Sequence, residues 1–109
     1  MENMEIIVMY CMVPNKKEGK NIARFLVEEK LAAAVSIFDK AESIFAWRGE
    51  IVEEKEALLM IKTRKELFCE VKDVIQKLHS YEVAEIIALP VLAADEKYLG
   101  WLMTETKGE

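Results

Sequence analysis

Cys11 and His79 are the side chains best suited to chemistry in this sequence, and His79 is its only histidine. The carboxylates Glu82 and Glu85 follow closely. A thiolate and an imidazole suit copper or zinc, and carboxylates could complete the shell. No CxxC or CxxH spacing accompanies them, and one chain supplies too few strong ligands for a closed site. A metal held here would be bound weakly or shared between subunits. The same residues fit a plainer account, with Cys11 a small buried apolar group and His79 a polar residue ending a helix. Both accounts stay open. A catalytic Cys–His pair has little support: no GxSxG elbow or Gly-rich phosphate loop occurs, and a cysteine in a buried strand is usually inert. No enzyme activity is expected.

A second set is Trp47, Glu56, Lys62, Thr63, Tyr81, Glu82 and Tyr98. These polar and aromatic groups could line a cleft between subunits able to hold an anion or a small metabolite. Thr63 is equally accounted for as a helix cap and the aromatics as packing at a subunit contact.

The elements that must position these residues are legible from patterning. Glu5 to Val13 is a near-continuous apolar run, β-branched at Ile6, Ile7 and Val8, which predicts a central strand buried on both faces. Pro14 ends it, having no amide hydrogen for a ladder. Asn15 then stands where an N-cap belongs, with Glu18 three residues on in near capping-box spacing. Ile22, Phe25, Leu26 and Leu31 predict a helix from about Lys16 to Leu31. A second strand is expected from Ala32 to Trp47, with a bulge or bend at Asp39-Lys40. Arg48-Gly49 makes the turn, glycine supplying positive φ, and Ile51 to Thr63 returns as a third strand. Thr63 and Glu66 match a second capping box, worth about 1 kcal/mol. Leu67, Phe68, Val71, Val74, Ile75 and Leu78 recur at helical spacing. Val83 to Leu92 reads as a fourth strand, and Asp95 caps a last helix carrying Tyr98, Leu99, Trp101 and Leu102.

The order β-α-β-β-α-β plus a terminal helix predicts an α+β fold, a ferredoxin-like sandwich of sheet order 4-1-3-2 with both crossover helices on one face. That order puts Cys11 and His79 at the same end of the sheet. The hairpin between strands two and three is too long for one small chain to cover on both faces, so copies of the chain are expected to bury it.

At 109 residues the chain is one domain, residues 1–109. With 52% hydrophobic residues it has enough apolar surface to fold. A net charge of −5 and a pI near 5.0 argue against a nucleic-acid partner. Cys11 and Cys69 show no disulfide pattern and point to a reducing compartment. The apolar run of the first strand is far short of a membrane span, and Glu2 and Glu5 precede it where a signal peptide would be basic. A cytoplasmic location without membrane contact is expected.

Taken together, the motifs resemble the CutA family of divalent-cation tolerance proteins over nearly the whole chain. They are Cys11-Met12-Val13-Pro14, Leu31-Ala32-Ala33-Ala34-Val35-Ser36, Ser43-Ile44-Phe45-Ala46-Trp47-Arg48-Gly49-Glu50-Ile51, Glu56, Lys62-Thr63, His79-Ser80-Tyr81-Glu82-Val83-Ala84-Glu85 and Tyr98-Leu99-Gly100-Trp101. The resemblance implies a homotrimer whose long hairpins pair between subunits. It implies a role in tolerance of heavy-metal ions, copper being the one most often named, with Cys11 and His79 at the ligand positions. No cofactor is required, and a protein partner is unidentified. The sequence departs from the family pattern at Ala34, where a cysteine is common. It departs again at Ser80 and Ala84, which replace two prolines and free two φ angles in the loop around Tyr81. The alternative is a small-molecule-sensing or signalling trimer of nitrogen-regulatory type, which would want a longer mobile loop than Arg48-Gly49 provides.

Overall fold

The computed structural model describes residues 5–108. Strands β1 (Ile6–Val13), β2 (Ala34–Trp47), β3 (Glu50–Arg64) and β4 (Ile86–Pro90) form one antiparallel sheet in the order β2-β3-β1-β4. This is the expected 4-1-3-2 order. Helices α1 (Lys16–Glu28) and α2 (Phe68–Leu78) are the two crossovers, and α3 (Glu96–Glu105) follows β4.

The core lies between the sheet and the two crossover helices. Ile7, Met9, Cys11 and Val13 of β1, with Ala57, Leu59 and Ile61 of β3, pack on Ile22 and Leu26 of α1 and Val71 and Ile75 of α2. These strand residues alternate, as a pleated strand with one dry face requires. Val8, Tyr10 and Met12 point the other way and stay half-buried. The expectation that β1 is dry on both faces therefore fails within one chain. On the opposite face of the sheet, Ile6 and Ala33 are covered by Leu102 of α3.

Several boundaries differ from the sequence-based expectation. Helix α1 stops at Glu28 because Lys30 adopts φ 59° and the amides of Leu31 and Ala32 both return to the Leu26 carbonyl. Ala32 and Ala33 are buried connectors rather than strand. Strand β4 is only five residues long, the segment before Ile86 being loop. Thr63 is not a cap. It lies in β3, fully buried, and its hydroxyl donates to the Leu31 carbonyl at 2.6 Å. A 3₁₀ turn, Lys65–Leu67, intervenes before α2 with no side-chain cap at either start. Asn15 and Asp95 do cap their helices, accepting from Glu18 N–H and from the Lys97 and Tyr98 amides. Glu18 does not close a capping box, because its carboxylate bonds Ser80 instead.

The β2–β3 hairpin sets the molecule's length. Its register shifts between Phe38 and Ala41, where Lys40 takes φ 65°, so the Asp39-Lys40 bulge occurs as expected. Pairing of β3 with β1 ends at Ala57, and beyond it residues 41–56 pair only with each other. The chain measures 47 × 26 × 22 Å as a result. Ile44 and Ile51, on the projecting ribbon, are 70% and 74% exposed. Arg48 (φ 50°) and Gly49 (φ 85°) both take left-handed conformations at the tip, the pair of positive φ values a two-residue hairpin turn needs.

Candidate functional site

His79 ends α2 with an extended backbone, which turns the chain back over the end of β1. Its ring lies within hydrogen-bond reach of the Met12 carbonyl, Nε2 to O 2.6 Å, while Nδ1 accepts from the Tyr81 amide at 3.0 Å. The two bonds together select the Nε2–H tautomer. The side chain is 1% exposed, and Glu18 Oε2 stands 3.7 Å from Nδ1, beyond hydrogen-bond distance. Cys11, one residue before Met12, is fully buried. Burial, with smaller contributions from the Glu85 and Glu18 carboxylates, pushes its thiol up to about 12. The structure thus puts Cys11 and His79 at the same end of the sheet. It leaves the imidazole with both nitrogens committed and the thiol in the protonated state, which metals do not bind. Among the described residues no three His, Cys, Asp or Glu side chains converge on one point. As they stand, these residues do not fit a closed metal site.

The loop after His79 is fastened at three points. Ser80 donates both its amide (2.8 Å) and its hydroxyl (2.9 Å) to Glu18 of α1. A proline there has no N–H to give, so the serine replaces a fixed φ with a bidentate tie. Tyr81 donates its hydroxyl to Glu56 Oε2 at 2.7 Å. Burial and the Glu56 hydrogen bond, then the Glu56, Glu54 and Glu18 carboxylates, raise the Tyr81 phenol above its ordinary range. Glu82 pairs with Arg48 at the hairpin tip, 2.8 Å away, and the Arg48 guanidinium lies 5.0 Å over the Trp47 ring.

Between this loop and the projecting hairpin is an open cleft of about 880 Å³. The β2 residues Ser43, Phe45 and Trp47 face the β3 residues Glu54, Val52 and Glu50 across the ladder. The cleft brings together Trp47, Glu56, Tyr81 and Glu82 of the expected set. Lys62, Thr63 and Tyr98 lie elsewhere. Lys62 is on the uncovered sheet face, donating to Ser36 at 3.2 Å; Thr63 is in the core; Tyr98 packs on Trp101 of α3, centroids 5.4 Å apart. The sequence reading missed Phe45, Val52, Met12 and Glu54 as lining residues. The signal for Phe45, Val52 and Glu54 was available, since alternation along a hairpin puts every second residue on the Trp47 and Glu56 face.

The uncovered face continues from the cleft across the sheet. Phe38, Leu58 and Met12 lie side by side in the ladder, as do Met60, Tyr10 and Ile87, with Val8 and Leu89 beyond. Phe38, Ile87 and Leu89 are each almost half exposed. An apolar face this broad is unusual on a monomer.

Comparison with known proteins agrees with this architecture. The family model for the CutA1 divalent ion tolerance protein matches residues 7–105. The divalent-cation tolerance protein CutA of Thermus thermophilus is 43% identical over 94% of this chain and 99% of its own length. Protein CutA of Homo sapiens is 45% identical over 90% of this chain, and chloroplastic Protein CutA of Arabidopsis thaliana 43% identical over 93%. The chain spans little more than half of those two relatives, 55% and 56% of their lengths. Among solved structures, CutA1 from Oryza sativa superposes with a TM-score of 0.94 at 41% identity, covering 96% of each chain. The Thermus thermophilus structure gives 0.91 at 41% identity, covering 94% of this chain and 99% of that one. With its sheet order, long hairpin and signature loop all in place, the chain belongs to the CutA1 divalent ion tolerance family.

Proposed function

We propose that this protein acts in divalent-cation tolerance as a non-enzymatic homotrimer, with the hairpin–loop cleft lying at the junction between subunits. The observation that carries the reading is the apolar face running from Phe45 and Val52 through Phe38, Leu58 and Met12 to Ile87 and Leu89, which none of the described residues covers. Burial of such a face contributes about 25 cal/mol per Å². Pairing of hairpin edges between copies would also satisfy the free backbone groups of β2 and β4. The family match favours this reading over a nitrogen-regulatory type of sensor. Sedimentation velocity at micromolar chain concentration is expected to give a trimer; a monomer overturns the proposal.

Copper or another divalent cation is the ion the family name suggests. Capture at Cys11 and His79 would require the buried thiol to ionise and the imidazole to leave Met12 or Tyr81. Calorimetric titration of Cu(I) and Cu(II) into wild type and His79→Ala tests that route, and matching isotherms exclude His79 as a ligand and with it the paired Cys11–His79 site. A cytoplasmic location is part of the same proposal. The described residues include no helix long and apolar enough to cross a membrane.

A further inference from the structure

We infer that the outer face of the helix layer is a docking surface for an acidic polypeptide segment that carries an apolar side chain. This surface is separate from the cleft and from the sheet face assigned to assembly. In a chain of net charge −5, four of the 15 lysines and arginines fall within residues 16–24, where Glu18 is the only acid. Lys16, Lys17, Lys20 and Arg24 are all exposed. Lys17, Lys20 and Arg24 recur at i, i+3 and i+7 and so share one stripe of α1. Among the described residues Lys16, Lys17 and Lys20 pair with no carboxylate, and Arg24 meets only the exposed Glu28, at 3.4 Å. Glu18 is committed to Ser80 through both oxygens.

This charge order works against the helix. Helix α1 begins with cations and ends with Glu28 and the C-cap Glu29, with no basic residue in its last turn. The macrodipole favours the reverse at both ends. Helix stability therefore does not account for the cations, whereas a negatively charged partner does, by relieving their mutual repulsion and the unfavourable field of the helix start. Lys17, Asn21 and Phe25, at i, i+4 and i+8, also line a groove of about 480 Å³ together with Asn15, Glu18 and Leu78 at the end of α2. Phe25 and Leu78 are 40% and 44% exposed there. An apolar side chain seated between them, with carboxylates on either side reaching Lys17 and Lys20, answers both features. The cations form the crest and the apolar pair lies in the groove beside it, which suits an inserted side chain better than a flat lipid surface. A nucleic-acid duplex brings charge but no aliphatic or aromatic side chain. The sheet stands between this face and Phe38, Ile87 and Leu89, so copies that associate through the sheet leave it open.

Fluorescence anisotropy tests this with a fluorescein-labelled peptide, a central phenylalanine flanked on each side by glutamates. Saturable binding is expected at low salt, weakening as salt is added. Glutamine in place of the glutamates, or glycine in place of the phenylalanine, is expected to weaken it as well. Lys17→Gln combined with Lys20→Gln alters two exposed side chains only and is expected to reduce affinity by about fivefold. The absence of saturable binding overturns the inference. So does a double variant that binds as tightly as the wild type, which puts the site elsewhere, or a glycine peptide that binds as tightly as the phenylalanine one, which leaves the groove without a part. Phosphatidylserine vesicles and a DNA duplex are the competing anions. Tighter binding to either, lost in the same double variant, overturns the acidic segment as the occupant.

Discussion

His79→Ala is the substitution whose cost can be worked from the geometry. The imidazole bridges two segments far apart in sequence, through the Met12 carbonyl at 2.6 Å and the Tyr81 amide at 3.0 Å. Each bond is worth about 1 kcal/mol net, and a buried partner left unsatisfied adds about 1–3 kcal/mol. The Met12 carbonyl belongs to the half-buried end of β1 and regains water in part; the Tyr81 amide lies in a loop and regains more. Loss of packing around a ring that is 1% exposed adds a further contribution. The expected destabilisation is about 2–4 kcal/mol per chain. The assay is urea unfolding at fixed chain concentration, comparing midpoints at unchanged m-value. A loss under about 0.5 kcal/mol, the range of an inconsequential surface change, would refute a structural role for the imidazole. His79→Gln, which retains a donor for Met12, should recover part of the loss.

Thr63→Val removes the hydroxyl bonded to Leu31 in a fully buried setting and should cost about 1–3 kcal/mol, again read from denaturant midpoints, whereas a true surface cap residue would cost less. Gly19 and Gly100 both lie within helices and make a matched pair. Alanine at Gly100 meets open space and should stabilise by about 1 kcal/mol through helix propensity. A Cβ at Gly19 would stand 3.1 Å from Leu59 and 3.2 Å from Val13, so crowding of about 1–3 kcal/mol should outweigh that gain and lower the thermal midpoint. The Cys11 thiol is raised in the folded state from 9.0 to about 12. The unfolded chain therefore loses this proton first, and stability should fall as pH rises from 9 towards 12, by up to about 1.4 kcal/mol per pH unit. Urea midpoints at pH 8 and above pH 10 check the sign, and Cys11→Ala should flatten the thiol's share of the slope.

Local signals made most of the fold legible. The cap residues Asn15 and Asp95 and the Asp39-Lys40 bulge act within a few positions of themselves, and each appears where the pattern put it; β1 is a strand as expected, but it alternates and is not dry on both faces. Thr63 misled because a Thr followed three residues later by Glu satisfies a local rule, while the observed partner, the Leu31 carbonyl, is 32 positions away. Glu18 misled in the same manner, its partner Ser80 being 62 positions distant. The cleft was half legible. Trp47, Glu56, Tyr81 and Glu82 were recognised by type, but Lys62, although on the same sheet face as Glu56, stands six residues further along β3, paired with Val8 and Ala34 and bonded to Ser36, outside the cleft.

The projecting ribbon also governs the order of events as the chain is made. Its two strands are joined by a two-residue turn, so the hairpin can zip on the microsecond scale. The β1–β3 pairing joins residues as distant as Ile6 and Arg64 and must wait for a larger loop to close. A newly synthesised chain therefore displays the ribbon before it has neighbours to meet, a state in which sticky edges aggregate. Glu42, Lys55, Glu53 and Glu54 are spaced along that ribbon, where charge acts as a gatekeeper against premature association.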